Sequence, residues 1–304
     1  MRFLWPSQPW KEGKLMYTLK EILEDDSSPP EPIIDNGILL DGTILIIVGP
    51  AKSKKTFLTQ NLSLSIAMGN DFAGFKITKP KKVAYFLAEG GYYSNRERLK
   101  KMAQNFSPDN TDNFLIEFPT YILLNHQESY EEIYSLIKES GAEVVVFDPL
   151  IRFHDAEENS ANGISDVFSR IRQLIDELGI SVILVHHTGK VETRGGRGSS
   201  AITGEYNSCI TIHKADDNCI RLTYDMRHVE TPPSNQIRFN SDTFWFEKKD
   251  RILELLESSG GVMDKKELFE KYKRPRPTTY KHLKKLKQAG KIGEEDGVLS
   301  LEIE

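Results

Sequence analysis

From Thr43 onward the chain alternates short, continuously apolar runs with longer amphipathic stretches. Thr43–Val48, Lys82–Ala88, Phe114–Phe118, Glu143–Phe147 and Ser181–His186 are strand-sized, and the β-branched residues in them suit strands buried on both faces. Between them, Asn61–Ala67, Asn95–Ala103, Gln127–Ser140 and Ile164–Leu178 have helical spacing. This order predicts an α/β fold with a mostly parallel central sheet covered by helices. Ahead of it, residues 17–36 predict a short amphipathic helix and a Ser-Pro linker. Behind it, Cys209–His213, Ile220–Tyr224 and Thr243–Glu247 predict an antiparallel edge, reached through the polar loop VETRGGRGSS, residues 191–200, which is expected over the carboxyl ends of the strands.

Composition bounds the picture. With 38% hydrophobic and 28% charged residues over 304 positions, the chain suits one large domain and a small one, 1–247 and 250–304. No apolar run approaches the roughly 20 residues of a membrane span. The N-terminus MRFLWPSQPWKEGK lacks the pattern of a secretory signal, so the expected location is the cytoplasm. Cys209 and Cys219, in neighbouring strand-like stretches, are then expected as buried reduced thiols. The net charge of −5 argues against a general electrostatic grip on nucleic acid, yet Lys265–Lys291 holds eleven Lys/Arg against two Glu.

Candidate chemistry concentrates where the strands end. Behind the first strand stands GPAKSKKT, residues 49–56, which matches the phosphate-loop pattern G-x-x-x-x-G-K-[ST] except that Lys54 occupies the second glycine position. Gly49, Pro50, Ala51, Lys52, Ser53, Lys54, Lys55, Thr56 and Phe57 are the predicted nucleotide-binding residues, with Lys55 on phosphate and the Thr56 hydroxyl on Mg²⁺. Glycine adopts the left-handed backbone expected at position 54 without strain, whereas lysine bears about 1–2 kcal/mol. The Lys54 ammonium is expected near the triphosphate, offsetting part of that cost. Asp148, ending Val144–Asp148, is the predicted second metal partner, and Glu89 the predicted base or water-orienting group. His186 and His187 end a further strand without the cysteines or carboxylates of a zinc site, which favours a polar sensor of the γ-phosphate.

Together, Gly49–Thr56, Ala88-Glu89-Gly90, Phe147-Asp148-Pro149-Leu150, His186–Lys190 and Arg197–Ala201 resemble the RecA-like ATPase family of plasmid and phage RepA-type hexameric helicases, AAA-type P-loop NTPases. The resemblance covers about residues 17–247 and implies a RecA core, a homo-hexameric ring and ATP held between subunits. It implies phosphate contact by Lys55, magnesium binding by Thr56 and Asp148, catalysis by Glu89 and γ-phosphate sensing by His187. An arginine finger comes from the adjoining subunit in such rings. The position where the family carries arginine is Asn207 here, and Arg227, in Asp225-Met226-Arg227, is the alternative finger.

In the C-terminal segment, Asp250–Ser258, Lys265–Tyr272 and Pro277–Ala289 read as helices and Val298–Ile303 as a strand after an acidic turn, the layout of a winged helix. Tyr280, Leu283 and Leu286 are expected to be buried. Thr278, Thr279, Lys281, Lys284 and Lys285 are expected to face nucleic acid. The expected protein is thus a Mg-ATP-dependent ATPase acting on DNA, single-stranded at the core and duplex at the winged helix, as a replicative helicase of a mobile element. Two further readings of the same residues stand beside it: a non-catalytic nucleotide-gated DNA-binding regulator and a recombination-mediator ATPase.

Overall fold

The computed structural model describes residues 16–28, 31–106, 110–157, 160–187, 202, 204–215, 218–248 and 250–302. The chain divides into two compact units between Glu247 and Lys248. A short helix α1 (Leu19–Leu23), closed by a reciprocal Thr18–Glu21 capping box, precedes the first unit's sheet and buries none of its residues.

The sheet uses β1 (Ile44–Gly49), β2 (Val83–Leu87), β3 (Phe114–Glu117), β4 (Val144–Asp148), β5 (Ser181–His187), β6 (Ser208–Lys214), β7 (Cys219–Met226), β8 (Asn235–Asn240) and β9 (Trp245–Lys248). Their spatial order is β3-β2-β4-β5-β1-β6-β7-β8-β9. The run from β3 to β6 is parallel, and β7 and β8 add antiparallel partners. The sequence pattern misses β8, because only Ile237 and Phe239 carry its alternation and a Pro-Pro-Ser stretch precedes it.

Side chains alternate between two cores, as strand geometry requires. Leu45, Ile47, Tyr85, Val146 and Ile183 face α2 (Lys55–Met68), while Ile44, Ile46, Phe86, Val145, Phe147 and Leu184 face α4 (Gln127–Ser140) and α5 (Ala161–Leu178). Helix α3 (Gly91–Met102) follows β2. The serine, asparagine and glutamine side chains of α2 are buried too, and the β8–β9 turn covers Asn61. There Asn61 Nδ2 donates to the Phe244 carbonyl at 3.1 Å, and its Oδ1 accepts from the Phe246 N–H at 2.8 Å.

Both cysteines are buried and free, but they do not face one another. Cys209 lies opposite Asp225, whereas Cys219 is at the far end of the β6–β7 pair, where its carbonyl accepts from the Ala215 N–H.

The second unit contains α6 (Arg251–Ser258), β10 (Val262–Asp264), α7 (Lys265–Tyr272), α8 (Arg276–Gln288), β11 (Ile292–Glu295) and β12 (Val298–Leu301). Its three strands are ordered β10-β12-β11 and antiparallel. It has its own core, centred on Ile252, Leu256, Leu268, Leu283 and Leu299. Asp250 caps α6 and also accepts from His282 at 2.6 Å, tying α8 to the unit's entrance.

Candidate nucleotide site

The site is assembled by strands ending at one edge. In the parallel register, Leu87 pairs with Asp148, and Gly49 with His187, so the loops after β1, β2, β4 and β5 leave the sheet side by side. The strand order reverses beside β1: its chain continues through α2 to β2, while β6 adds on its other flank. Open α/β sheets bind ligands at such a crevice.

Gly49 closes β1 where a side chain has no room: a Cβ would meet Ser53 Oγ at 3.0 Å and Ile212 Cβ at 3.1 Å. The chain then turns into α2. Lys52 and Lys54 have φ values of 61° and 65°, so the left-handed conformation expected at Lys54 is present and a second lysine shares it. The first α-helical hydrogen bond runs from the Leu58 N–H to the Lys54 carbonyl, which leaves the N–H groups of Lys55, Thr56 and Phe57 at the helix start for an anion.

Lys55 is 4% exposed, and its ammonium donates to the Gly49 and Pro50 carbonyls at 2.9 and 2.8 Å. Burial brings its pKa down to about 8, opposed by the carboxylates of Asp148 and Glu89. The Ser53 hydroxyl, also buried, has no hydrogen-bond partner. Such a cradle fits a phosphate group: orphaned N–H and hydroxyl donors surround a cation bonded only to the loop's own carbonyls.

Asp148 is 1% exposed. Its Oδ1 accepts from Thr56 Oγ1 at 3.3 Å and its Oδ2 from the Tyr85 hydroxyl at 2.6 Å. Burial raises its pKa to about 6, although both hydrogen bonds oppose the rise. A buried carboxylate touching the loop threonine is an oxygen donor set of the kind Mg²⁺ uses.

Glu89 is exposed just beyond β2, with Arg152 Nε 3.8 Å from its carboxylate. Asn95 fixes the turn beneath it, donating to the Glu89 and Gly91 carbonyls at 3.0 and 2.8 Å. Of the two histidines, His186 is the more buried, and desolvation holds its pKa near 4, so it is neutral at physiological pH. His187 is half-buried beside Gly49.

Several expectations need correction. The Lys54 ammonium does not point toward phosphate: it donates to Asn218 Oδ1 at 2.9 Å and lies 3.9 Å over the Phe239 ring. The Phe57 ring packs against Phe239 and Phe244 at 5.0 and 5.3 Å, so only its backbone belongs to the loop. Asn207 bolts β1 to β6, its side chain accepting from the Ile44 N–H at 2.9 Å at the amino end of the parallel strands. Arg227 stands at that same end, donating to the Gly204 carbonyl at 2.7 Å, so any role it has as a finger is in the adjoining subunit's site.

In the second unit, Thr279 is fully buried and donates to the Pro275 carbonyl at 3.2 Å, which removes it from any base-reading surface. Tyr280 is exposed instead, its ring 5.0 Å from Phe269. The buried stripe is therefore Thr279, Leu283 and Leu286, while Thr278, Lys281, Lys284 and Lys285 are exposed. Residues 188–201, with the His186–Lys190 and Arg197–Ala201 motif segments in part or whole, lie outside the described residues.

Tyr85 and Arg98 escape the sequence reading. Tyr85 reads as one more core residue of an apolar strand, and only its polar tip hints at a buried partner. Arg98 lies 4.4 Å over Phe57 and donates to Gln60 at 3.4 Å, close enough to Asp148 to favour the carboxylate.

The family model for an AAA domain matches residues 12–193. The chain belongs to the AAA domain family. This AAA domain is similar to a solved ATPase domain at 14% identity and a TM-score of 0.53, covering 69% of this chain and 86% of that one. It is similar to a DnaB-like replicative helicase, described with its interactions with primase, at 15% identity and a TM-score of 0.53, over 69% of this chain and 58% of the helicase. The RadB recombinase aligns at 18% identity with a TM-score of 0.50, covering 69% and 92% of the two chains. At these identities the likeness establishes the fold alone: an α/β core with a mostly parallel central sheet, as in those ATPase and recombinase domains. No described helix is long and apolar enough to cross a membrane.

Proposed function

We propose that the protein hydrolyses ATP with Mg²⁺ in a homo-hexameric ring and acts on nucleic acid as a replicative helicase of a mobile element. The observation that carries this is the joining of the loop threonine to a buried strand-end aspartate, Thr56 to Asp148, with Lys55 beside them and Glu89 just beyond the end of the neighbouring strand. Bound Mg²⁺ would supply charge neutralisation of the phosphates. Thr56 and Asp148 would hold it, and the short Tyr85 bond keeps the Asp148 carboxylate oriented toward Thr56. Lys55 would exchange its two carbonyl partners for phosphate oxygens. Glu89 would orient the attacking water and take its proton, and His187 would sense the γ-phosphate beside Gly49. Arg227 would act in trans, stabilising transition-state charge in the adjoining subunit's site.

The C-terminal unit supports a winged-helix reading by its element order, helix, strand, two helices and hairpin. Thr278, Lys281, Lys284 and Lys285 would then meet duplex DNA along α8. The regulator reading draws on Lys54, Asp225 and Asn207 as signs of lost turnover. Each has structural employment, however, as a tether, as the acceptor of the Tyr206 hydroxyl and as a strand bolt.

ATP binding and turnover, measured with and without single-stranded DNA against Lys55→Ala, test the enzyme. Tight binding with turnover no higher than Lys55→Ala at every DNA concentration would leave the regulator standing. Strand displacement on forked DNA separates the helicase from the recombination mediator.

A further inference from the structure

Four large aromatic side chains are exposed among the described residues: Tyr92, Tyr93, Tyr121 and Tyr280. The first three share the carboxyl edge of the sheet. Tyr92 and Tyr93 open α3, 56% and 72% exposed, with rings 5.4 Å apart edge to face. Tyr92 also meets Phe118 at 5.7 Å, and Phe118 starts the segment that ends in Tyr121, itself 72% exposed. Tyr121 lines a cleft of about 290 Å³ with Ala88, Ile151 and Arg152. That cleft thus joins Tyr121 to Ala88, the residue before Glu89.

Exposed guanidinium groups accompany the rings. Arg96 lies 5.3 Å over Tyr93, and Arg152 reaches from the cleft wall to Glu89. The neighbouring carboxylates, Glu89, Glu97 and the cleft-lining Asp155, already have partners in Arg152, in Arg96 and Lys100, and in Asn125 and His126. Aliphatic surface is scarce, with only Ile151 exposed beside the cleft among the described residues, at 36%. The aliphatic surface suited to a protein partner is elsewhere, on α1, where Leu19, Ile22 and Leu23 are exposed. Rings that offer faces, flanked by guanidinium groups that can move from carboxylate to phosphate, have the chemistry of a single-strand stacking site.

We propose that this edge binds single-stranded nucleic acid, with bases stacked on Tyr92, Tyr93 and Tyr121 and phosphates on Arg96 and Arg152. This rests on the reading of the chain as a nucleic-acid-dependent ATPase and locates the strand next to Glu89.

The test is anisotropy of a fluorescein-labelled oligothymidylate with the full chain, over a salt series. Lys281→Glu, Lys284→Glu and Lys285→Glu are introduced throughout to silence the second unit. In that background Tyr92→Ala and Tyr93→Ala should each weaken binding at least about fivefold, and Tyr93→Phe should restore it, because stacking uses the ring. Arg152→Gln should lower the slope of log affinity against log salt by about 0.7. A cooperative melt like that of the parent confirms folding of each variant. If the background protein binds no oligothymidylate, the nucleic-acid function of this core falls together with the platform. If it binds and the alanine variants bind equally well, the platform alone is overturned. Unchanged affinity with an altered sedimentation coefficient would assign these tyrosines to a contact between copies, which also overturns it.

Discussion

Lys54 shows how one side chain can make an unfavourable backbone tolerable. Its left-handed conformation carries a cost of about 1–2 kcal/mol, which the Asn218 hydrogen bond and the Phe239 ring offset by a similar amount. Lys54→Gly, losing strain and tether together, should therefore leave the urea midpoint nearly unchanged. Lys54→Ala keeps the strain without the tether and should lower stability by about 1–2 kcal/mol. His186 is a second residue whose environment has a measurable consequence. Its pKa is lowered from 6.5 to about 4, so the unfolded chain takes up its proton first. Stability should therefore fall as pH drops through that window, by up to about 3 kcal/mol, and level off below it. Urea titrations between these limits should show a shallower fall for His186→Gln. At this scale Gly49, Lys55, Asp148 and Glu89 were legible because strand-end position and residue type agree. The Tyr85 hydroxyl and Arg98 were not, since a tyrosine in VAYFL and an arginine in a polar helix are ordinary until the fold brings them to Asp148. The direction of the Lys54 side chain was equally hidden, because Asn218 and Phe239 lie far along the chain.

Among elements, the phosphate-loop helix is unusual in being buried on every side. Its polar residues would suit a solvent face, yet Asn61 binds both the Phe244 carbonyl and the Phe246 N–H, and so fastens the β8–β9 turn over the helix. Asn61→Leu fills the space but leaves those backbone groups without partners, and should cost about 1–3 kcal/mol in denaturant unfolding. Trp245, packed 5.7 Å from Phe72 in that turn, offers a fluorescence probe of its release. Helix boundaries such as Gln127–Ser140 and Lys265–Tyr272 could be taken directly from periodicity. The choice between Thr279 and Tyr280 could not, because both positions fit a helical stripe with Leu283 and Leu286. Burial of the smaller residue follows from the packing of Tyr280 across Phe269, a neighbour that belongs to α7.

For the molecule as a whole, two compact units, the second with a core of its own, imply two separable stabilities. Leu283 is 2% exposed in the small core, and Leu283→Ala should destabilise that unit by about 2–5 kcal/mol. Calorimetry should then resolve an early transition, while nucleotide affinity of the large unit stays as in the parent protein. Within the large unit, β1 is the middle strand of nine, with four on either side. Amides so far from both edges should exchange with deuterium only when the entire sheet opens. GPAKSKKT therefore hangs from the slowest-exchanging part of the protein, and fraying at either margin leaves its anchorage untouched.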